Sequence, residues 1–191
     1  MPTRLEDLQQ INRLINNWML RDLGQWEALR ALFHQDGTIE VTWFEGLFND
    51  FVDASIRMGT SDLRTKHLIG SPVVTLNGNK AIIQTNAVIV GENIKMNLGF
   101  NVHNRFYDFA EKRGDHWKLY KRQSIYDMSA FTFPIGFVEI DQQGLAKYPR
   151  EYAPLAYVLE RSGFPVKRVF ATRGSALEQK MKADGQTWLI G

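Results

Sequence analysis

The stretch TKHLIGSPVVTLNGNKAIIQTNAVIV, Thr65 to Val90, decides the fold. From His67 onward the hydrophobic period changes to two, the spacing of a strand that buries one face. Asn77-Gly78 interrupts the run, and that dipeptide is the strongest short-range hairpin signal because both residues tolerate left-handed backbone. The stretch therefore reads as two β-rich runs folded back on each other.

Upstream the period is helical. Thr3-Arg-Leu-Glu6 has the spacing of a capping box, in which two side chains satisfy open amides at a helix start. Leu8, Ile11, Ile15, Trp18 and Met19 then form one apolar stripe, and Asp22 falls on the same stripe. A second helix is expected to carry Trp26, Leu29, Leu32 and Phe33 on its apolar face and to end at Asp36-Gly37. GTIEVTWF follows as a short strand with Ile39, Val41 and Trp43 on one side, and FNDFVDASIRMG as a helix with Phe51, Val52 and Ile56 inward.

Downstream, KMNLGFNVHNRFYDFAEK and HWKLYKRQSIYDMSAF make a second strand pair, joined around Arg113-Gly114-Asp115. Helices first and a long antiparallel sheet after them imply an α+β domain, a curved sheet closed by its N-terminal helices. It spans residues 1–133. Residues 134–191 read as a helical extension expected to pack on the core or on a neighbouring subunit. In it, Tyr152, Leu155, Val158 and Leu159 suggest a helix stopped by Gly163, with Pro165 beyond. Ser175-Ala-Leu-Glu178 opens another, short helix that should stop near Gly185.

Composition narrows the function classes. With 191 residues, 44% hydrophobic and 12% aromatic, the chain should bury roughly 70% of its unfolded surface and need no staples. It contains no cysteine, which removes disulfides, thiolate metal sites and cysteine nucleophiles together. No apolar run approaches a membrane span of ~18 residues, and the N-terminus carries no leader pattern, so a soluble, cytoplasmic protein is expected. The net charge is +2 and dispersed. Lys167, Arg168, Arg173, Lys180 and Lys182 read as a solvated face, and neither nucleic acid nor membrane is an expected partner.

At this point DLGQWEALRALFHQDGTIEV (Asp22 to Val41), TKHLIGSPVV and the closing GDHWKLYKRQ (Gly114 to Gln123) carry a resemblance. The chain resembles the NTF2-like superfamily, the cystatin-like α+β cone, and most closely its SnoaL-like, scytalone-dehydratase-like branch. Enzymes of that branch use an Asp–His pair inside the cone. The resemblance places the aspartate on Asp22 and the histidine on His67, and sets a polar strand residue on Arg105. The superfamily also contains non-enzymes, so the likeness specifies fold more closely than activity.

The pair has a physical case of its own. A carboxylate on a core-facing stripe needs a partner, and an imidazole bonded through one nitrogen to a carboxylate presents the other as a lone-pair base. The competing reading is plain: Asp22-Leu-Gly-Gln25 also has capping-box spacing, and a histidine opening a strand is often just a packed residue. Asn101, His103, Arg105 and Tyr107 alternate along one strand. Facing the cone, they would offer Arg105 to a developing oxyanion and the rest to the substrate; facing outward, they are a polar sheet surface and Phe106 takes the inside. Tyr126 could close the pocket or simply pack.

No phosphate loop, dinucleotide fingerprint or metal-ligand spacing is present, so no cofactor and no metal are expected. The leading expectation is a lyase or isomerase, dehydratase-like, whose His67 takes a proton from a small hydrophobic substrate in an aromatic cone that includes Trp18 and Trp43. The alternatives are a carrier with the same cavity and no chemistry, or a partner subunit. A homodimer or homotrimer is expected in each case.

Overall fold

The computed structural model describes residues 4–191, so Thr3, and with it the first capping box, lies outside the described residues. Helix α1 (Arg4–Asn16) buries Ile11, Leu14 and Ile15 and tightens into a 3₁₀ turn, Asn17–Leu20, that buries Trp18. Three residues per turn stack Trp18 over Ile15 and swing position i+4 away, which leaves Met19 exposed rather than on the stripe.

Helix α2 (Trp26–Arg30) is shorter than its apolar spacing suggests. Phe33 belongs to strand β1 (Phe33–Val41). It pairs with Leu119 and stacks on Phe48, and Leu32 O accepts from Leu119 N at 2.9 Å. Backbone pairing across the sheet outweighs the helical spacing and propensity of Leu29-Leu32-Phe33, since propensity is a weak prior that tertiary context overrides. Strand β2 (Phe44–Leu47) returns along β1, and α3 (Phe48–Gly59) buries Phe48, Phe51, Val52, Ser55 and Met58.

Five further strands complete the sheet: β3 (Leu63–Ile69), β4 (Val73–Asn77), β5 (Lys80–Asn93), β6 (Leu98–Arg113) and β7 (His116–Thr132). Their order is β2-β1-β7-β6-β5-β3, with β4 also on β5. The sheet curls into a half-barrel, the cone architecture of an α+β NTF2-like fold. It is antiparallel except where β1 lies parallel to β7, the joint that ties the two ends of the core together. Gly78 sits at φ 57° and Gly114 at φ 63°, so both expected hairpins turn on a left-handed glycine.

The C-terminal segment wraps both faces. Helix α4 is one turn, Gln142–Leu145, capped by Asp141, and α5 (Ala153–Arg161) is buried almost throughout. Inside the cone, Leu155, Val158 and Leu159 of α5 share a core with Met58, Phe100, Val102 and Tyr126. The chain then crosses beyond the end of β1, where Ala171 and Arg173 exchange backbone hydrogen bonds with Tyr126 of β7 at 2.9 and 3.0 Å. Helix α6 (Ala176–Ile190) opens on Ser175, whose Oγ accepts from Glu178 N, and covers the convex face over Ile82, Tyr107, Phe109 and Ile125. None of the described helices is long and apolar enough to cross a membrane.

Gly185 does not stop α6, which runs five residues further. A Cβ there would stand 2.2 Å from the Tyr107 hydroxyl and 2.8 Å from its ring. The glycine is present because the helix backbone lies directly on a buried tyrosine. Gly185→Ala should therefore destabilise the protein by about 1–3 kcal/mol through overpacking, against the ~1 kcal/mol that alanine normally adds to a helix. Denaturant unfolding checks the sign; a stabilised variant would contradict this docking of α6.

Candidate functional site

Strand β3 alternates as its sequence does: Arg64, Lys66 and Leu68 face out, while Leu63, Thr65, His67 and Ile69 face in. As the terminal strand of the sheet, β3 pairs with β5 on one side only, and backbone groups on its open side need partners from elsewhere. Asp22 supplies one. It follows the 3₁₀ turn in a tight bend where Gly24 takes φ 66°. One carboxylate oxygen accepts the His67 backbone N–H at 2.7 Å, and the other meets His67 Nδ1 at 2.7 Å. The helix-cap alternative is excluded: α2 has Gln25 at its N-cap with no side-chain cap bond, and both oxygens of Asp22 are spent on His67.

Geometry and charge together define the protonation state. Burial alone would raise the Asp22 carboxyl, but the hydrogen bonds from His67 and the nearby Arg21 hold it below its usual range. Burial pulls the His67 imidazole below its ordinary value; the Asp22 bond opposes this, and the Arg21 and Arg122 charges add to it. The pair at neutral pH is thus a carboxylate and a neutral imidazole. Nδ1–H donates to Asp22, and Nε2 keeps its lone pair.

His67 lines a small apolar cavity of about 40 Å³ between the sheet, α3 and α5. Trp18, Trp43, Phe51, Phe100, Phe106, Leu155 and Leu159 form most of the wall. The Trp18 ring meets the imidazole edge-on at 6.2 Å. Tyr126, also in the wall, accepts from Thr42 N at 3.2 Å and donates to Thr42 Oγ1 at 3.4 Å. Trp18 and Trp43, read from the sequence as lining residues, both stand here.

The polar face of β6 does not. Leu98, Phe100, Val102, Asn104, Phe106 and Asp108 point into the cone, so Asn101, His103, Arg105 and Tyr107 occupy the convex side. Arg105 is held there by Asp127 at 2.7–3.1 Å and by Glu178 of α6 at 2.7 Å. Tyr107 is buried under α6, His103 is exposed, and Asn101 is half-buried. The oxyanion role expected of Arg105, and the substrate contacts expected of the other three, are corrected by this register: the apolar alternative through Phe106 wins because it fills the core.

Another cation stands near the pair, and the sequence reading passed over it. Arg122 on β7 is fully buried and pairs with Asp108 through Nε at 2.8 Å and Nη2 at 2.7 Å. Its guanidinium lies 4.3 Å from the Trp18 ring centre and 4.1 Å from that of Phe106, the stacked geometry that suits a planar cation. The signal lay in KLYKRQ, where a register shift between Phe109 and Ala110 in the β6–β7 pairing turns Arg122 inward.

A SnoaL-like domain model matches residues 3–123. Pea pathogenicity protein 2 of Fusarium vanettenii is 27% identical over 158 residues, 78% of this chain and 67% of that protein. Among solved structures, the hexachlorocyclohexane dehydrochlorinase LinA-type3 from Novosphingobium barchaimii LL02 matches with a TM-score of 0.60 at 17% identity, over 72% of this chain and 97% of its own. A candidate scytalone dehydratase from Novosphingobium aromaticivorans DSM 12444 gives 0.57 at 19%, over 71% and 97%. At such identities the structures speak for the fold. The sequence match, covering well over half of the chain, speaks for kinship: the protein belongs to the SnoaL-like family, within the NTF2-like superfamily.

Proposed function

We propose that the protein is a cofactor-independent lyase or isomerase that begins its reaction by taking a proton from a carbon acid. The observation that carries this reading is the Asp22–His67 pair at 2.7 Å beside an apolar cavity. His67 Nε2 is the base. Asp22 fixes the tautomer and stabilises the imidazolium once the proton has moved, as the orienting carboxylate of a hydrolase triad does. The proton leaves carbon and the electron pair remains on the substrate, conjugated to a carbonyl or expelling a leaving group at the next carbon. Arg122, behind the Trp18 and Phe106 rings of the wall, adds a cationic field felt at His67 that favours that negative charge. The relatives known as dehydrochlorinase and scytalone dehydratase by their names support a first step of this kind.

Deuterium uptake by a ring-bearing carbon acid such as β-tetralone in deuterium oxide, followed by NMR, tests the step without knowledge of the natural substrate. His67→Ala and Asp22→Asn should each slow exchange by about 10²-fold or more. Exchange at the wild-type rate in both variants would end the proposal.

The pH profile carries a second test. The base must be neutral, so activity is lost as pH falls through the His67 pKa, which burial places below 6.5. Activity should be flat near neutrality, with its acid limb below that of a free imidazole. Asp22 raises the His67 pKa, so Asp22→Asn should move the limb to still lower pH as well as reduce the plateau. A limb above pH 6.5 would contradict the assignment.

A further inference from the structure

Among the described residues lining the cavity, Arg21 alone carries a permanent charge, and its partners do not match it. A guanidinium presents five N–H donors. Arg21 Nη1 donates to Thr65 Oγ1 at 3.0 Å, Nη2 meets only the Met58 thioether at 3.6 Å, and buried Nε has no acceptor. The nearest carboxylate oxygen, of Asp22, is 3.9 Å from Nη1, and both Asp22 oxygens are already spent on His67. The Arg21 side chain is only 8% exposed. Burying a cation against a hydroxyl, a sulfur and, 5.9 Å away, the Phe51 ring is costly, and burial draws its pKa down to about 10.

Three residues earlier, Trp18 lines the same cavity, and its buried Nε1–H also lacks an acceptor. Apart from the lone pair of His67 Nε2, the wall offers little in return: the Thr65 hydroxyl is engaged by Arg21, and Tyr126 and Thr42 bond each other. The cavity is rich in donors and poor in acceptors, so the complementary ligand brings oxygen.

We propose that Arg21, with Trp18 Nε1, anchors the carboxylate of a hydrophobic carboxylic acid, whose aromatic or alicyclic body lies against Phe100, Phe106, Leu155 and Leu159. A carboxylate fits the edge of a guanidinium with two parallel hydrogen bonds, which a lone carbonyl does not. This names the substrate class for the reading above and rests on it in taking the cavity as the substrate site. It also has a consequence for the base. Arg21 is one of the charges that depress His67, and a carboxylate bound to Arg21 offsets that charge, so the acid strengthens the base when it binds.

The test is binding of hydrocinnamate against its neutral amide, hydrocinnamamide, read by quenching of tryptophan fluorescence and by calorimetry. The acid should bind at least roughly tenfold more tightly than the amide, the worth of a charge-assisted hydrogen bond. Arg21→Met should abolish this preference, and Arg21→Lys should keep part of it. Near-ultraviolet circular dichroism checks that each variant is folded, and the melting temperature of Arg21→Met should be unchanged or raised, since it removes a poorly paired buried charge. Equal affinity for acid and amide, no binding of the acid at millimolar concentration, or a preference that survives Arg21→Met would overturn the anchor. Because the readout is binding, absent deuterium exchange in the wild-type protein would sink proton transfer and leave the anchor standing.

Discussion

The bridge from Asp22 to His67 is the interaction on which the rest depends. It joins the bend after the N-terminal helix to the terminal strand of the sheet, and so closes the cone at the point where β3 would otherwise present an unpaired amide. The same carboxylate orients the imidazole. A largely buried aspartate is tolerated because each of its oxygens receives a short N–H donor, with a guanidinium close by; remove either donor and the desolvation cost is no longer met. Architecture and reactivity are therefore not separable at this residue.

Buried charge around the bridge is only partly balanced: Asp108 pairs with Arg122, while Arg21 has its nearest carboxylate oxygen, of Asp22, 3.9 Å away. An imidazole beside these cations in a poorly solvated interior stays neutral. On the reading proposed above, the imidazolium formed by proton transfer would have Asp22 as its partner, already in place when charge moves.

The fold was legible because its periods are clear. Alternation from His67 onward, left-handed glycines at both hairpins and the helical stripe through Ile11, Ile15 and Trp18 all reappear in the structure. The Asp22–His67 contact was legible only through kinship, since spacing alone served a helix cap as well. β6 was misread for a physical reason. Phe106, Tyr107, Asp108, Phe109 and Ala110 are all buried, because the N-terminal helices and α6 cover opposite faces of the sheet there, and a strand covered on both sides loses the alternation that tells inside from outside. Gly185 misled similarly: a helix-stopping residue in sequence, a close-approach residue once Tyr107 is beneath it.

The division between shared and unshared sequence follows the division between chemistry and shape. The family match ends at residue 123, and within it lie Asp22, His67, Arg122 and Arg21. Beyond it come Tyr126, Leu155 and Leu159, which finish the cavity wall. Without the segment after residue 133, the cone would open over Phe100, Val102 and Tyr126, and the convex face over Tyr107, Phe109 and Ile125 would meet water. Large apolar patches of that kind are costly to expose, so the extension is an integral layer of this protein. One fold can house many different sites. Here the cavity takes its shape in part from the helix α5 that packs across the cone, and its charge from Arg21 on its wall.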